Sequence, residues 1–180
     1  MAATRNDLLA VFERLGIAAE TVEHPPLFTV EQSRALRGAI PGGHTKNLFL
    51  KDKKDRVFLV VAEEDAEIDM KSLHKRIGSA RLSFGKPELL AELLGVVPGA
   101  VTPFGAINDR SRRVTVILDR ALLRHDRLNF HPLENTATTT IGRDDFLRFL
   151  RDSGHDPQIL RVSGGAPDDK GLESGRELAT

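Results

Sequence analysis

Val57, Phe58, Leu59, Val60 and Val61 follow one another without a polar break, and no other stretch limits the fold as strongly. A strand with one wet face alternates apolar and polar residues. An unbroken β-branched and aromatic run of this length reads instead as a strand buried on both faces. Before it come the polar turn Asp52-Lys53-Lys54-Asp55 and a second β-like run over residues 46–51. The two runs are expected to form a hairpin whose second arm, residues 56–62, lies inside a sheet covered on each side.

The remaining signals fit around that sheet. Residues 6–15 carry an apolar stripe, with Thr4 placed to cap a helix and Gly16 to stop it. Residues 19–23 read as a short strand ended by His24-Pro25-Pro26. Thr29 with Gln32 three residues later has the form of a capping box, opening a helix through Leu36. Helices are expected over 69–77 and 86–94, the latter with Pro87 in its first turn and Gly95 after its end. Residues 95–105 hold three glycines and two prolines and read as an irregular loop. Residues 114–118, 129–132 and 136–141 read as strands, and Gly142 opens a last helix ending near Asp152. From Ser163 onward apolar content nearly vanishes, so one domain over residues 1–162 and a disordered tail over 163–180 are expected. The irregular interleaving favours a single mixed α/β domain over a doubly wound parallel fold.

Composition narrows function. The chain has no cysteine, which removes disulfides and thiolate chemistry and suits a reducing, cytoplasmic setting. No apolar run is long enough to cross a bilayer, and no membrane partner is expected. Lys and Arg number 26 and Asp and Glu 26, so a general nucleic-acid coater or a broad DNA binder is disfavoured. Any RNA contact must be a local patch. There is no Walker loop or dinucleotide fingerprint, and the six histidines show no metal-ligand spacing, so neither cofactor nor metal is expected. No G-x-S-x-G elbow is present. Hydrolysis by this chain therefore calls for water or a substrate hydroxyl as the attacking group.

Three segments are richer than a core requires, and spacing alone leaves each with two readings. In Gly42-Gly43-His44-Thr45-Lys46-Asn47, Lys46 is either a cation for a phosphate or carbonyl oxygen or a solvated lysine opening a strand. In Pro98-Gly99-Ala100-Val101-Thr102-Pro103-Phe104-Gly105, main-chain N–H groups either form a concavity for a carbonyl or anion or merely link a helix to a strand. In His131-Pro132-Leu133-Glu134-Asn135-Thr136-Ala137-Thr138, His131 either lines a polar pocket or is a satisfied structural histidine.

Taken in order, Thr45-Lys46-Asn47-Leu48-Phe49-Leu50, Gly99-x-x-x-Pro103 and His131-Pro132 leading to Asn135-Thr136-Ala137-Thr138 resemble the YbaK/ProX family of editing domains, which also occur inserted in bacterial prolyl-tRNA synthetases. The resemblance spans residues 6–162 and is nearest the free-standing subgroup that deacylates alanyl-tRNA(Pro). It implies a central curved mixed sheet flanked by helices, and a trans-editing hydrolase acting on mischarged aminoacyl-tRNA. Prolyl-tRNA synthetase is implied as a transient partner. Lys46, Asn47, Gly99 and His131 are the catalytic residues the resemblance implies, with the ribose hydroxyl of the terminal adenosine helping to activate water. Thr45, Phe28, Ala100, Thr102, Phe104 and Thr138 are expected to shape the substrate pocket. A deacylase for cysteinyl- or seryl-tRNA, or a non-catalytic tRNA-binding module of the same fold, are the alternative readings.

Overall fold

The computed structural model describes residues 1–27 and 29–164. Among them, five helices, α1 (Arg5–Leu15), α2 (Val30–Ala39), α3 (Leu73–Ile77), α4 (Pro87–Leu94) and α5 (Arg143–Asp152), surround eight strands. The strands are β1 (Ala19–Glu23), β2 (Gly43–Asp52), β3 (Val57–Glu63), β4 (Leu82–Phe84), β5 (Val114–Asp119), β6 (Arg127–Phe130), β7 (Ala137–Gly142) and β8 (Gln158–Leu160). They form one mixed sheet in the order β1-β7-β6-β2-β3-β5-β8, with β4 beside β2. No helix among the described residues is long and apolar enough to cross a membrane.

The unbroken apolar run is β3, and both of its faces are covered. Val57, Leu59 and Val61 join the main core with residues of α1, α4 and α5. Phe58 and Val60 join Leu50 and the α3 residues Leu73 and Ile77 in a second core on the other face. Pairing is antiparallel to β2 and parallel to β5. The hairpin turn is held by the Asp52 carboxylate, which accepts the N–H groups of Lys54, Arg56 and Ala80 and the Arg56 guanidinium.

Local signals set most helix ends. Thr4 and Asp7 form a capping box, and Gly16 ends α1 in the left-handed region at φ 67°. Thr29 and Gln32 form a second capping box, and α2 runs to Ala39, beyond Leu36. α3 starts only at Leu73, because the Asp69 carboxylate accepts Lys71 N–H and Ser72 Oγ and folds residues 69–72 into a turn. The glycine- and proline-rich stretch contains two 3-10 helices, Pro98–Ala100 and Pro103–Asn108. Ser163 and Gly164, assigned above to the tail, are anchored: Asp119 accepts Ser163 Oγ, and Arg76 donates to both carbonyls. Residues 165–180 lie outside the described residues, and so does the rest of the expected tail.

One edge of β2 is shared between two strands. β6 takes only Gly43 and His44, β4 takes Leu50 to Asp52, and Gly85 N–H reaches the Phe49 carbonyl. Between them the sheet forks.

Candidate functional site in the sheet fork

Register determines what the open edge presents. Phe49 C=O points toward β4 and His44 C=O accepts Glu64 N–H from the β3 side, so odd-numbered residues of β2 direct their main chain away from β3. The N–H and C=O of Asn47 therefore face the fork. Side chains of Thr45 and Asn47, the end of β6 with Asn129 and His131, Thr138 of β7, and Ser33 and Arg37 of α2 close a pocket of about 70 Å³ there. Sequence alone could not show this convergence, because a two-residue parallel pairing joins β2 to β6.

Most polar atoms in the pocket are already engaged. Thr45 Oγ1 donates to the Asn129 carbonyl at 2.7 Å, and Asn129 Nδ2 donates to the Pro41 carbonyl at 3.1 Å. Thr140 Oγ1 donates to Asn129 Oδ1, which satisfies that buried amide and pins the loop after α2 to β6. Thr138 Oγ1 lies 2.8 Å from His24 Nε2, whose ring also contacts the Pro25 carbonyl. Glu64 pairs with Arg37 at 3.2 Å.

Two buried side-chain atoms of the pocket residues make no hydrogen bond, Arg37 Nε, a donor, and Asn47 Oδ1, an acceptor. Asn47 Oδ1 is buried without a hydrogen-bond partner, while its Nδ2 has only a long 3.5 Å approach to Thr45 Oγ1. A carbonyl accepts and cannot donate, so His131 Nδ1 at 3.1 Å from the Ala137 carbonyl carries the ring proton and leaves Nε2 as an acceptor. His44 Nε2 lies 2.9 Å from the Ile40 carbonyl and donates to it. Burial pushes the His131 imidazole below its usual value of 6.5 and nearby His24 adds to this, against the opposing pull of the Ala137 carbonyl and Glu64. His131 is thus neutral at pH 7.

Other expected site residues lie elsewhere. Lys46 projects from the opposite face of β2 to Asn47, and its ammonium donates to the Ala66 carbonyl. Gly99 is exposed beside Asn135, and the Ala100 N–H is taken by the Val97 carbonyl, so it is not free to polarise a substrate. Ala100, Thr102 and Phe104 are fully buried. Thr102 Oγ1 caps the second 3-10 helix through Phe104 N–H. Phe104 packs edge-on against Phe12, Phe130 and Phe149 at 5.2, 5.3 and 5.4 Å. None of the three reaches the pocket. Phe28 lies outside the described residues. Sequence reasoning passed over His24, His44, Glu64 and Asn129, and only the His24-Pro25-Pro26 punctuation hinted at one of them. No three His, Asp or Glu side chains among the described residues gather as a metal-binding group.

Comparison with known proteins follows the same outline. The model of the aminoacyl-tRNA editing domain matches residues 24–149. Prolyl-tRNA synthetase associated domain-containing protein 1 of Danio rerio is 42% identical over 158 residues, covering 87% of this chain and 86% of that protein. The prolyl-tRNA editing protein ProX of Acetoanaerobium sticklandii is 35% identical over 149 residues, 82% of this chain and 91% of that one. A solved structure of a candidate trans-editing enzyme for prolyl tRNA synthetase shares the fold, with a TM-score of 0.68 at 20% identity over 92% of this chain and 100% of that chain.

Proposed function

The chain belongs to the aminoacyl-tRNA editing domain family, and on that premise we propose that it hydrolyses the ester bond of alanyl-tRNA(Pro), with the sheet fork as its active site. One observation carries this reading: Asn47 Oδ1 is a buried acceptor with no partner, in a pocket where His131 Nε2 also accepts. An aminoacyl ester brings an α-ammonium, three donors and a positive charge, which is the chemical complement of such a site. A second site is needed because a pocket built for proline rejects a smaller side chain by only about 1–3 kcal/mol per methylene.

The chemistry is addition of water to the ester carbonyl, followed by cleavage of the bond to the terminal ribose oxygen, which takes up the proton that the water loses. The main-chain N–H of Asn47 faces the fork and is the donor for the developing oxyanion. His131, neutral through burial, accepts from the substrate through Nε2. No hydrogen bond joins Ser33, the serine of the pocket, to a histidine among the described residues, which supports direct attack by water over an acyl-serine. Lys46 exchanges the Ala66 carbonyl for the terminal phosphate when the nucleotide binds.

The test is release of alanine from purified alanyl-tRNA(Pro) by the wild type and by Lys46→Ala. The variant is expected to keep its thermal midpoint and lose kcat/KM by a factor of about 10², near the ~2–3 kcal/mol of one charged hydrogen bond to phosphate. Faster release of cysteine or serine from the corresponding tRNAs would reassign the substrate. No hydrolysis with retained tRNA binding would make the chain a binding module.

A further inference from the structure

We infer that the Glu64 carboxylate is the counter-ion for the α-ammonium of the aminoacyl ester, paired with Arg37 until the substrate enters. The inference rests on the reading of the fork as an aminoacyl-ester site. Three consecutive acids, Glu63, Glu64 and Asp65, stand at the end of β3, and their surroundings differ. Glu63 pairs with Arg124 at 2.9 Å and lies 3.5 Å from His125. Asp65 is exposed and accepts from Arg37 Nη1 at 2.9 Å. Of the three, Glu64 alone lines the fork pocket, and it is the one carboxylate among the described residues that do. Its main chain is fixed there, since its N–H donates to the His44 carbonyl at 2.9 Å.

The Glu64 side chain is less committed. Arg37 Nε stands 3.2 Å from Glu64 Oε2, close enough for an ion pair, yet Nε is buried with no hydrogen-bond partner. No hydrogen bond reaches the Glu64 carboxylate from any described residue. Arg37 keeps Asp65 as a partner when Glu64 turns to another cation. The Glu64 charge is also felt inside the pocket: burial lowers the His131 value, and Glu64 opposes the shift. An α-ammonium supplies the aligned donors that Arg37 does not, and with three of them it serves Glu64 and Asn47 Oδ1 together. Asn47 is a neutral acceptor that takes a hydroxyl as readily as an amine. A carboxylate makes a charge-assisted bond, roughly twice as strong, and so tells an amino acid ester from one that lacks the ammonium.

The Arg37–Glu64 pair also ties α2 to the segment after β3, and the experiment separates that role from substrate binding. Hydrolysis by wild type and Glu64→Gln is measured for alanyl-tRNA(Pro) and for the same tRNA carrying lactate, in which a hydroxyl replaces the ammonium. Each kcat/KM is divided by the uncatalysed rate of the same ester, because the ammonium itself activates the carbonyl. The wild type is expected to favour the alanyl ester by at least ~10-fold, the margin of a charge-assisted over a neutral hydrogen bond. Glu64→Gln is expected to bring that preference close to one. An unchanged preference would overturn the assignment, and so would an equal loss on both esters, the mark of a structural tie to α2. Calorimetric binding of two unreactive adenosine amides, one of alanine and one of lactate, is expected to show the same preference in the wild type and its loss in Glu64→Gln. The amides are not cleaved, so a wild type that hydrolyses neither ester would sink the deacylase reading while the amide pair still decides the role of Glu64.

Discussion

Asn47 and Asp52 lie five residues apart on β2, and both bury side-chain oxygens, but the two oxygens have opposite surroundings. Burial pushes the Asp52 carboxyl up, yet the N–H groups of Arg56, Ala80 and Lys54 and the Arg56 guanidinium outweigh it and hold the group below the usual carboxylate range. Every requirement of that carboxylate is met inside the chain. Asn47 Oδ1 has nothing. The Asp52 carboxylate has its partners inside the chain, whereas Asn47 Oδ1 has none there and turns to whatever the pocket holds. Burial of a polar group does not by itself mark a functional position, whereas an acceptor with no partner in a pocket does.

Asp52→Ala carries the largest expected effect. It strips the acceptor from three main-chain N–H groups and should destabilise by about 3 kcal/mol, lowering the thermal midpoint by roughly 10 °C for a chain of this size. The deacylation rate per folded molecule should hold. Loss of rate at full stability would break the comparison. Because the folded carboxyl ionises below the usual aspartate value of 3.8, its contribution is complete above that pH and fades as acid brings the pH through the lowered folded value.

Asn47→Ala should do the reverse. Removing an unsatisfied acceptor leaves the thermal midpoint unchanged or slightly raised, while kcat/KM falls about 30-fold for a lost bond of ~2 kcal/mol to a charged donor. A destabilised variant with normal kinetics would make the side chain structural. His131→Ala should lower kcat/KM about 5-fold, near one neutral hydrogen bond of ~1 kcal/mol. The smallest effect is in pH. With the folded His131 value below 6.5, wild-type kcat/KM should be flat at and above that pH and decline only below it. Stability follows the same sign, since the unfolded chain binds the proton more readily and acid favours it between 6.5 and the folded value. A decline centred above 6.5 would contradict the neutral imidazole.

Short-range signals carried much of the fold. Both capping boxes, the left-handed glycines after α1 and α4, and the bounds of β1 follow from residues within a turn of each other. β4 and β8 escaped because three residues are too few to display an alternation. The site was legible only in pieces. Thr45, Asn47, His131 and Thr138 converge in the pocket, but the reason they meet is the brief pairing of β2 with β6, to which no local pattern points. Composition left the glycine- and proline-rich segment with two readings, and the family resemblance implied a substrate loop. In the structure its apolar members Ala100 and Phe104 belong to the main core, Phe104 against Phe12, Phe130 and Phe149.

Single-turnover hydrolysis of alanyl-tRNA(Pro) by wild type and Asn47→Ala, at matched folded concentration, tests the fork most directly. Rapid release of alanine by the wild type and a rate about 30-fold lower in the variant, set by the ~2 kcal/mol lost at Oδ1, is the predicted result. Equal rates in the two proteins would mean that the ester is cleaved somewhere other than the gap between β6 and β4.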